Sequence, residues 1–427
     1  GRGNMKAVLC FLAAASALFA ASGLTGSWIF YIVAFGEETS PARVELEVEG
    51  DKVTGKLNEM SVAGTVAGDT FKLTVNRQNG TTFATLDGRL SGNEMRGTAH
   101  AGDQNLDWVA RRITVSNTTP QTRTFEPTVF HRYFSGTIAP ALHINPGDTV
   151  RTTTVDAGGK DAKGTGRSGG GNPETGPFYV EGAMPNDTLV VKFNRIRLNR
   201  DSAGSGTRIT NDALGPGYIR DAKYDDNFSG NWKLDREGGF AMLAKPSEHL
   251  KNYRVKLAPM LGCVAVAPPD KQTMRSGWLG SWGGNMDYNG MREGVTLYLP
   301  VYQEGALLFV GDGHAAQGDG ELTGDALETS MDVEFTVNLI RGQSTGGPRA
   351  ESDEYIMAMG ISNSLPDAVR QATTQLARWL ERDYHLTANE SAIVLGSAMR
   401  YDVAELVDPQ VNVVAKVSKA ALAGLSK

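Results

Sequence analysis

At 427 residues, 40% hydrophobic and 21% charged, the chain is long enough for two or three cores and has an ordinary globular balance. Its formal charge of −6, with no Lys/Arg block interleaved with aromatics, excludes a basic surface for nucleic-acid backbones. The 51 glycines against 17 prolines point to many turns, and so to a turn-rich β protein with no disordered character.

Met5 and Lys6 precede an apolar run over 7–20, and the small residues Ala20, Ala21, Ser22 and Gly23 follow. That pattern is a secretory signal over residues 5–22, too short for an ordinary span. The expected product is exported, periplasmic or extracellular, with no stable membrane span after cleavage. Cys10 falls in the leader, which leaves Cys263 alone in the mature chain and excludes an intramolecular disulfide. Cys263 lies in the apolar stretch 261–266 and reads as a buried small side chain, not a nucleophile.

From 24 to 113 short strands alternate with turn signals. Val44, Leu46 and Val48 alternate with Glu45, Glu47 and Glu49, Gly50-Asp51 makes a turn, and Val53 starts the return. Similar runs at 71–75, 82–86 and 106–110 predict a small antiparallel β sandwich or barrel, with His100 a lone surface histidine. Residues 114–126, polar, Thr-rich and broken by Pro120, read as a linker. The rest, 127–427, is expected to be mainly β with C-terminal helices. Leu189 begins an apolar strand over 189–193, the runs 295–301 and 306–310 form a pair, and Met331, Val333, Phe335, Val337 and Leu339 alternate with polar residues. Ser364, Pro366 and Asp367 start a helix whose apolar face is Val369, Ala372, Leu376, Trp379 and Leu380. Thr387 and Glu390 form a capping box that opens another helix, through Met399. Gly164, Gly166 and Gly169 spell GxGxxG, but no strand precedes it and no helix follows, which argues for a loop and against a dinucleotide site.

The chemistry concentrates in 311–321, GDGHAAQGDGE, expected as a loop after an apolar strand over 307–310. It places Asp312, His314, Gln317, Asp319 and Glu321 within a few residues, on glycines that let a chain curl. Imidazole with carboxylates suits Zn²⁺ or a similar divalent ion, and the carboxylates alone suit Ca²⁺. From the pattern alone a metal site and a solvated acidic turn both stand. Two other segments offer partners: HINPGD over 143–148, followed by a strand and Asp156, and GGNMD over 283–287. Asp148 itself reads as turn chemistry.

Taken in order, HINPGDTV with VDAGG, NPETGPFYVEGAMPNDTLVV, LGCVAVAP, GGNMD with TLYLPV, and GALLFVGDGHAAQGDGELTGDALE resemble the successive blocks of the acetamidase/formamidase family, from about residue 127 onward. The resemblance implies a mostly β fold, metal-assisted hydrolysis of a small linear carboxamide such as formamide or acetamide to the acid and ammonia, a divalent metal, Zn first with Ca as the alternative, and a homo-oligomer. Carried over by position, it marks Asp156, Glu181, Asn285, Asp287, Asp312, His314, Asp319 and Glu321. Asp156, Asp312 and His314 are then the first metal ligands, with Asp287 and Asp319 beside them. Glu181 or Glu321 is the general acid and base, and Asn285 the donor to a developing oxyanion. The resemblance does not reach residues 24–125. It also departs after Asp156, where a short polar KDAKGTGRSGGG replaces a longer insert, and it is faint over 196–256; both segments are expected to shape the substrate pocket. The alternative expectation is an exported, non-catalytic binding protein with a structural Ca²⁺.

Overall fold

The computed structural model describes residues 23–114 and 118–425; the signal expected over 5–22 lies outside them, as does part of the expected linker. Contacts divide the described residues into two compact units, one of 23–114 with 184–186, the other of 118–183 with 187–425.

In the first unit eight strands form a closed antiparallel barrel: β1 (Gly26–Ala34), β2 (Glu37–Glu49), β3 (Lys52–Leu57), β4 (Met60–Ala67), β5 (Thr70–Asn76), β6 (Thr82–Ser91), β7 (Glu94–Ala101) and β8 (Gln104–Arg112). Each strand pairs with the next, and β8 returns to β1 with Trp28 opposite Arg112 and Val33 opposite Asp107. Closure leaves no free edge. The period-2 alternation seen in 44–49 is what this geometry needs, because alternate side chains point into the barrel. Val44 and Leu46 are buried, and so are Trp28, Phe71 and Trp108; Phe30 stacks on Trp108 with ring centroids 5.3 Å apart. The two-residue turn after β2 needs Gly50, whose φ is +66°.

The second unit consists mainly of two large sheets. One runs, in spatial order, through Arg400–Glu405, Val411–Ser418, Tyr355–Ser362, Arg349–Glu351, Thr296–Pro300, Thr188–Leu198, Met331–Ile340, Thr149–Thr153 and Thr122–Thr124. The other has at its centre Glu328–Thr329, Leu308–His314, Met260–Ala265 and Gly283–Asn285. Phe178, Phe193, Val310, Phe335 and Val337 belong to their common core. The helix Leu365–Asp383 buries Ala368, Ala372, Leu376, Trp379 and Leu380, and its Ser364 cap accepts from the Asp367 N–H. The helix Ala388–Ala398 opens on the Thr387/Glu390 capping box.

Two local readings are corrected. The runs 295–301 and 306–310 do not pair: Thr296–Pro300 lies in the first sheet between Thr188–Leu198 and Arg349–Glu351, while Leu308–His314 lies in the second. Between them Ala306 and Leu307 take φ of +58° and +59°, a left-handed kink that carries the chain from one sheet to the other. Further, Asp312 and His314 are in a strand, not a loop. Leu308–His314 pairs with Met260–Ala265 on one side and Glu328–Thr329 on the other, so the loop starts only after His314.

Asp148 illustrates how a turn residue can also hold a fold together. Its carboxylate is buried and accepts from the backbone N–H of Gln121 (2.7 Å) and Asn145 (3.0 Å) and from Arg123 Nε (3.1 Å). Burial pushes its pKa up, but those donors outweigh it and hold the group below the usual carboxylate range. Asp148→Asn turns an N–H₂ toward an N–H and should destabilise this unit by about 2 kcal/mol at pH 7, measured by urea unfolding. Because the folded pKa is depressed, the stabilisation is present above the unfolded value of about 3.9 and is lost as pH falls through the folded value. The gap between native and variant should therefore close in acid, and a gap that persisted at pH 2 would contradict this account.

Candidate metal centre

His314 is fully buried, and its Nε2 faces four carboxylates: Glu328 Oε1 at 3.1 Å, Asp312 Oδ2 at 3.3 Å, and Asp287 Oδ1 and Glu321 Oε1 at 3.9 Å. Asp312 and His314 share a face because they are two apart on one strand. Asp287 follows the strand Gly283–Asn285, Glu328 lies directly opposite His314 in the ladder, and Glu405 comes from the end of Arg400–Glu405. Three sets of side chains place their ligating atoms within 4.8 Å of one another: Asp287, Asp312 and His314; His314, Glu321 and Glu328; and Asp287, Glu321 and Glu405.

The imidazole is oriented from behind. Gln317 Oε1 lies 2.9 Å from His314 Nδ1, while Gln317 Nε2 donates to the carbonyls of Asp287 (2.5 Å) and Ala404 (3.3 Å). With its N–H₂ committed to carbonyls, Gln317 presents its oxygen as an acceptor, which puts a proton on Nδ1 and leaves Nε2 toward the carboxylates. Asn172 Nδ2 donates to Asp312 Oδ2 (3.2 Å) and to Asn285 Oδ1 (2.8 Å), and Asn285 Nδ2 donates to Asp408 Oδ2 (2.7 Å).

The electrostatics are those of acids crowded away from water. Burial, with repulsion from Glu321 and Asp312, pushes Asp287 well above the carboxylate range. Burial likewise raises Glu321 well above it, takes Glu328 to about 8 and takes Asp408 to about 7. Burial depresses His314, but Glu328 and Asp312 outweigh it and hold the imidazole well above its usual value. Asp287, Asp312 and Glu321 also take φ of +41°, +52° and +45°. Left-handed backbone at three non-glycine residues costs on the order of 1 kcal/mol or more each, and such strain gathers at functional sites.

A cation fits this arrangement. Both oxygens of Asp287, Oδ1 of Asp312, Nε2 of His314 and one oxygen each of Glu328 and Glu405 are buried without a hydrogen-bond partner. Orphaned buried acceptors are costly unless something positive satisfies them. Gly262 leaves the space: a Cβ there would stand 2.3 Å from Asp287 Oδ1, 2.6 Å from Asp312 Oδ2 and 2.9 Å from His314 Cε1.

Not every expected residue is brought here. The Asp156 carboxylate is turned away to Arg200 (2.5 Å) and to the N–H of Lys160 (2.8 Å), so it lies beside the centre with its acceptors filled. Asp319 is exposed and accepts from Asn289 Nδ2 at 2.7 Å. Glu181 is half-exposed, 2.7 Å from His143 Nδ1, and lines no part of the recess over the centre. In their place stand Glu328, Glu405, Asp408 and Asn172. Glu328 lies inside the quoted block GDALE, whereas Glu405 and Asp408 carry no local signal. Cys263 is buried, with its thiol pushed up by burial and by Glu174, which suits packing and not nucleophilic attack.

A β-rich unit with a buried His–carboxylate cluster beneath a recess defines a site able to hold a metal. Residues 279–408, which contain every member of the three ligating sets, match the acetamidase/formamidase family. The solved acetamidase of Yersinia enterocolitica is similar over 72% of this chain and 94% of that one, with a TM-score of 0.61 and 27% identity. Among curated relatives, the acetamidase of Mycolicibacterium smegmatis is 41% identical over 61 residues, 14% of this chain and 15% of that protein, and the formamidase of Methylophilus methylotrophus is 26% identical over 39% of this chain and 51% of that protein. The chain thus spans about half or less of the curated relatives it matches.

Proposed function

We propose that the chain hydrolyses a small carboxamide to the carboxylate and ammonia, with a divalent cation, best Zn²⁺, held by Asp287, Asp312 and His314. The observation that carries this reading is the convergence of orphaned buried acceptors around the gap left by Gly262, within the segment that matches the family. A divalent cation bound there supplies Lewis-acid polarisation of a carbonyl and acidifies water at neutral pH.

The chain's own residues do the rest. Gln317 holds His314 with Nε2 inward. Glu321, whose carboxyl burial pushes well above the usual carboxylate range, is the group to hand a proton to the amide nitrogen as it leaves. Asn285 keeps one N–H on Asp408 and has a second to offer a developing oxyanion at the edge of the recess.

Metal removal tests the proposal. Ammonia release from formamide and acetamide should fall by several powers of ten in chelator and return with Zn²⁺. The chelated protein should also lose stability as pH rises. Glu328 and Asp408 have folded pKa values of about 8 and about 7, above their unfolded ones, so their contribution is fully present below the unfolded value of about 4 and is lost through the folded values. A melting temperature in chelator that rose between pH 5 and pH 8, or ammonia release indifferent to chelator, would count against the site.

A further inference from the structure

The recess over the centre has two unlike ends. Asp312, Glu321 and Glu328 line it as buried groups, while Arg132, Tyr133, Arg275 and Trp278 line it as exposed ones. The floor is therefore acidic and the mouth basic and aromatic. The mouth is built by a two-stranded ribbon, Tyr133–Ser135 against Thr273–Arg275, in which Tyr133 lies directly opposite Arg275. Its two guanidinium groups are unspent: among the described residues neither has a carboxylate partner, and Arg132 makes only a long contact, 3.4 Å from Nη1 to the Gly170 carbonyl. Arg200 beside the same site is the contrast, since it is half-buried and committed to Asp156 and to the carbonyls of Ser202 and Glu328.

The recess has a volume of about 380 Å³ and shares Ala157, Gly170, Gly171 and Asn172 with an adjoining one of about 810 Å³. That is the range of roughly 300–1,000 Å³ that encloses drug-sized ligands, far more than a two-carbon amide fills. A planar guanidinium matches a carboxylate in a two-bond fork, and exposed Trp and Tyr rings favour a flat ligand.

We propose that the natural substrate is a carboxamide bearing a carboxylate at its far end, with Arg132 and Arg275 gripping that carboxylate and Tyr133 and Trp278 flanking a planar linker. The inference rests on the amide-hydrolase reading for the floor of the pocket only. Arg132 and Arg275 are thus specificity-determining residues that select the substrate's distal charge.

The test separates binding from chemistry. Zn²⁺-loaded full-length protein is titrated calorimetrically with 4-acetylbenzoate and with acetophenone, methyl ketones that cannot release ammonia and differ by one carboxylate. The acid should bind about tenfold more tightly at low salt, and the preference should shrink as salt screens the mouth. Arg132→Ala with Arg275→Ala should abolish the preference, whereas Arg132→Lys should keep part of it and Arg275→Glu should reverse it. Equal affinities for the two ketones, or a preference that survives the double alanine variant, overturns the proposal. Ammonia release from 4-carbamoylbenzoate and benzamide is measured on the same samples: its absence alongside an intact binding preference retires the hydrolase reading and keeps the anion-selective mouth.

Discussion

His314→Ala should strip the protein of most bound divalent metal and lower ammonia release from small amides by several powers of ten. His314 is the one nitrogen donor in its groups, it belongs to two of the three ligating sets, and its Nε2 is held inward by Gln317. Loss of the ring also leaves Asp287, Asp312, Glu321 and Glu328 with no nearby cation to offset their repulsion, so the variant should melt lower than native protein at pH 8 and recover part of the difference at pH 5, where the carboxylates protonate. Metal content by elemental analysis and turnover must come from the same samples. Full metal occupancy with full turnover would remove the centre as a catalytic site.

Much of this centre was legible because its residues are odd in sequence as well as in space. Asp312, His314 and Glu321 sit in one run, and Asn285 and Asp287 in another; the pattern alone left a solvated acidic turn open, and it was the order of these runs as successive blocks of a known family that singled them out. The glycines of that run were harder to read. They look like loop residues, but Gly311 and Gly313 lie in a strand, where a Cβ would come within 2.3 Å of Glu174 Oε2 and 2.4 Å of Met331 Cγ. Here glycine serves close approach, which no local pattern distinguishes from a turn.

Glu405 and Asp408 were invisible for a different reason. They are ordinary acidic residues more than ninety positions beyond His314, and only the packing of Arg400–Glu405 against the site gives them a role. Asp156 failed the other way: the strand before it ends at Thr153, three residues short of it, and an arginine 44 positions on claims the carboxylate, which no spacing announces. The barrel was open between two architectures, because alternation sets which side chains face inward but not whether the last strand returns to the first. The pairing of Trp28 with Arg112 decides it.

The remaining question about chemistry is which acid carries the proton, and Glu321→Gln is expected to answer it. Glu321 Oε1 accepts the Ala326 N–H at 3.0 Å and lies 3.9 Å from His314 Nε2. Glutamine preserves size and can still accept that N–H through its own oxygen, so the loop should stay in place while the dissociable proton is gone. If Glu321 is the proton carrier, metal content should remain native, KM should change little, and kcat should fall roughly 10²-fold to 10⁴-fold. The pH profile gives a second readout: an acid works only when protonated, so native turnover should decline as pH rises through its pKa, and the variant should lack that decline. Glu328→Gln is the comparison, because Glu328 shares the Ala326 N–H at 2.9 Å and stands closer to His314. Should Glu321→Gln lose metal in proportion to turnover, Glu321 is a ligand instead, and the proton falls to Glu328, whose raised pKa of about 8 already suits it to hold one at neutral pH.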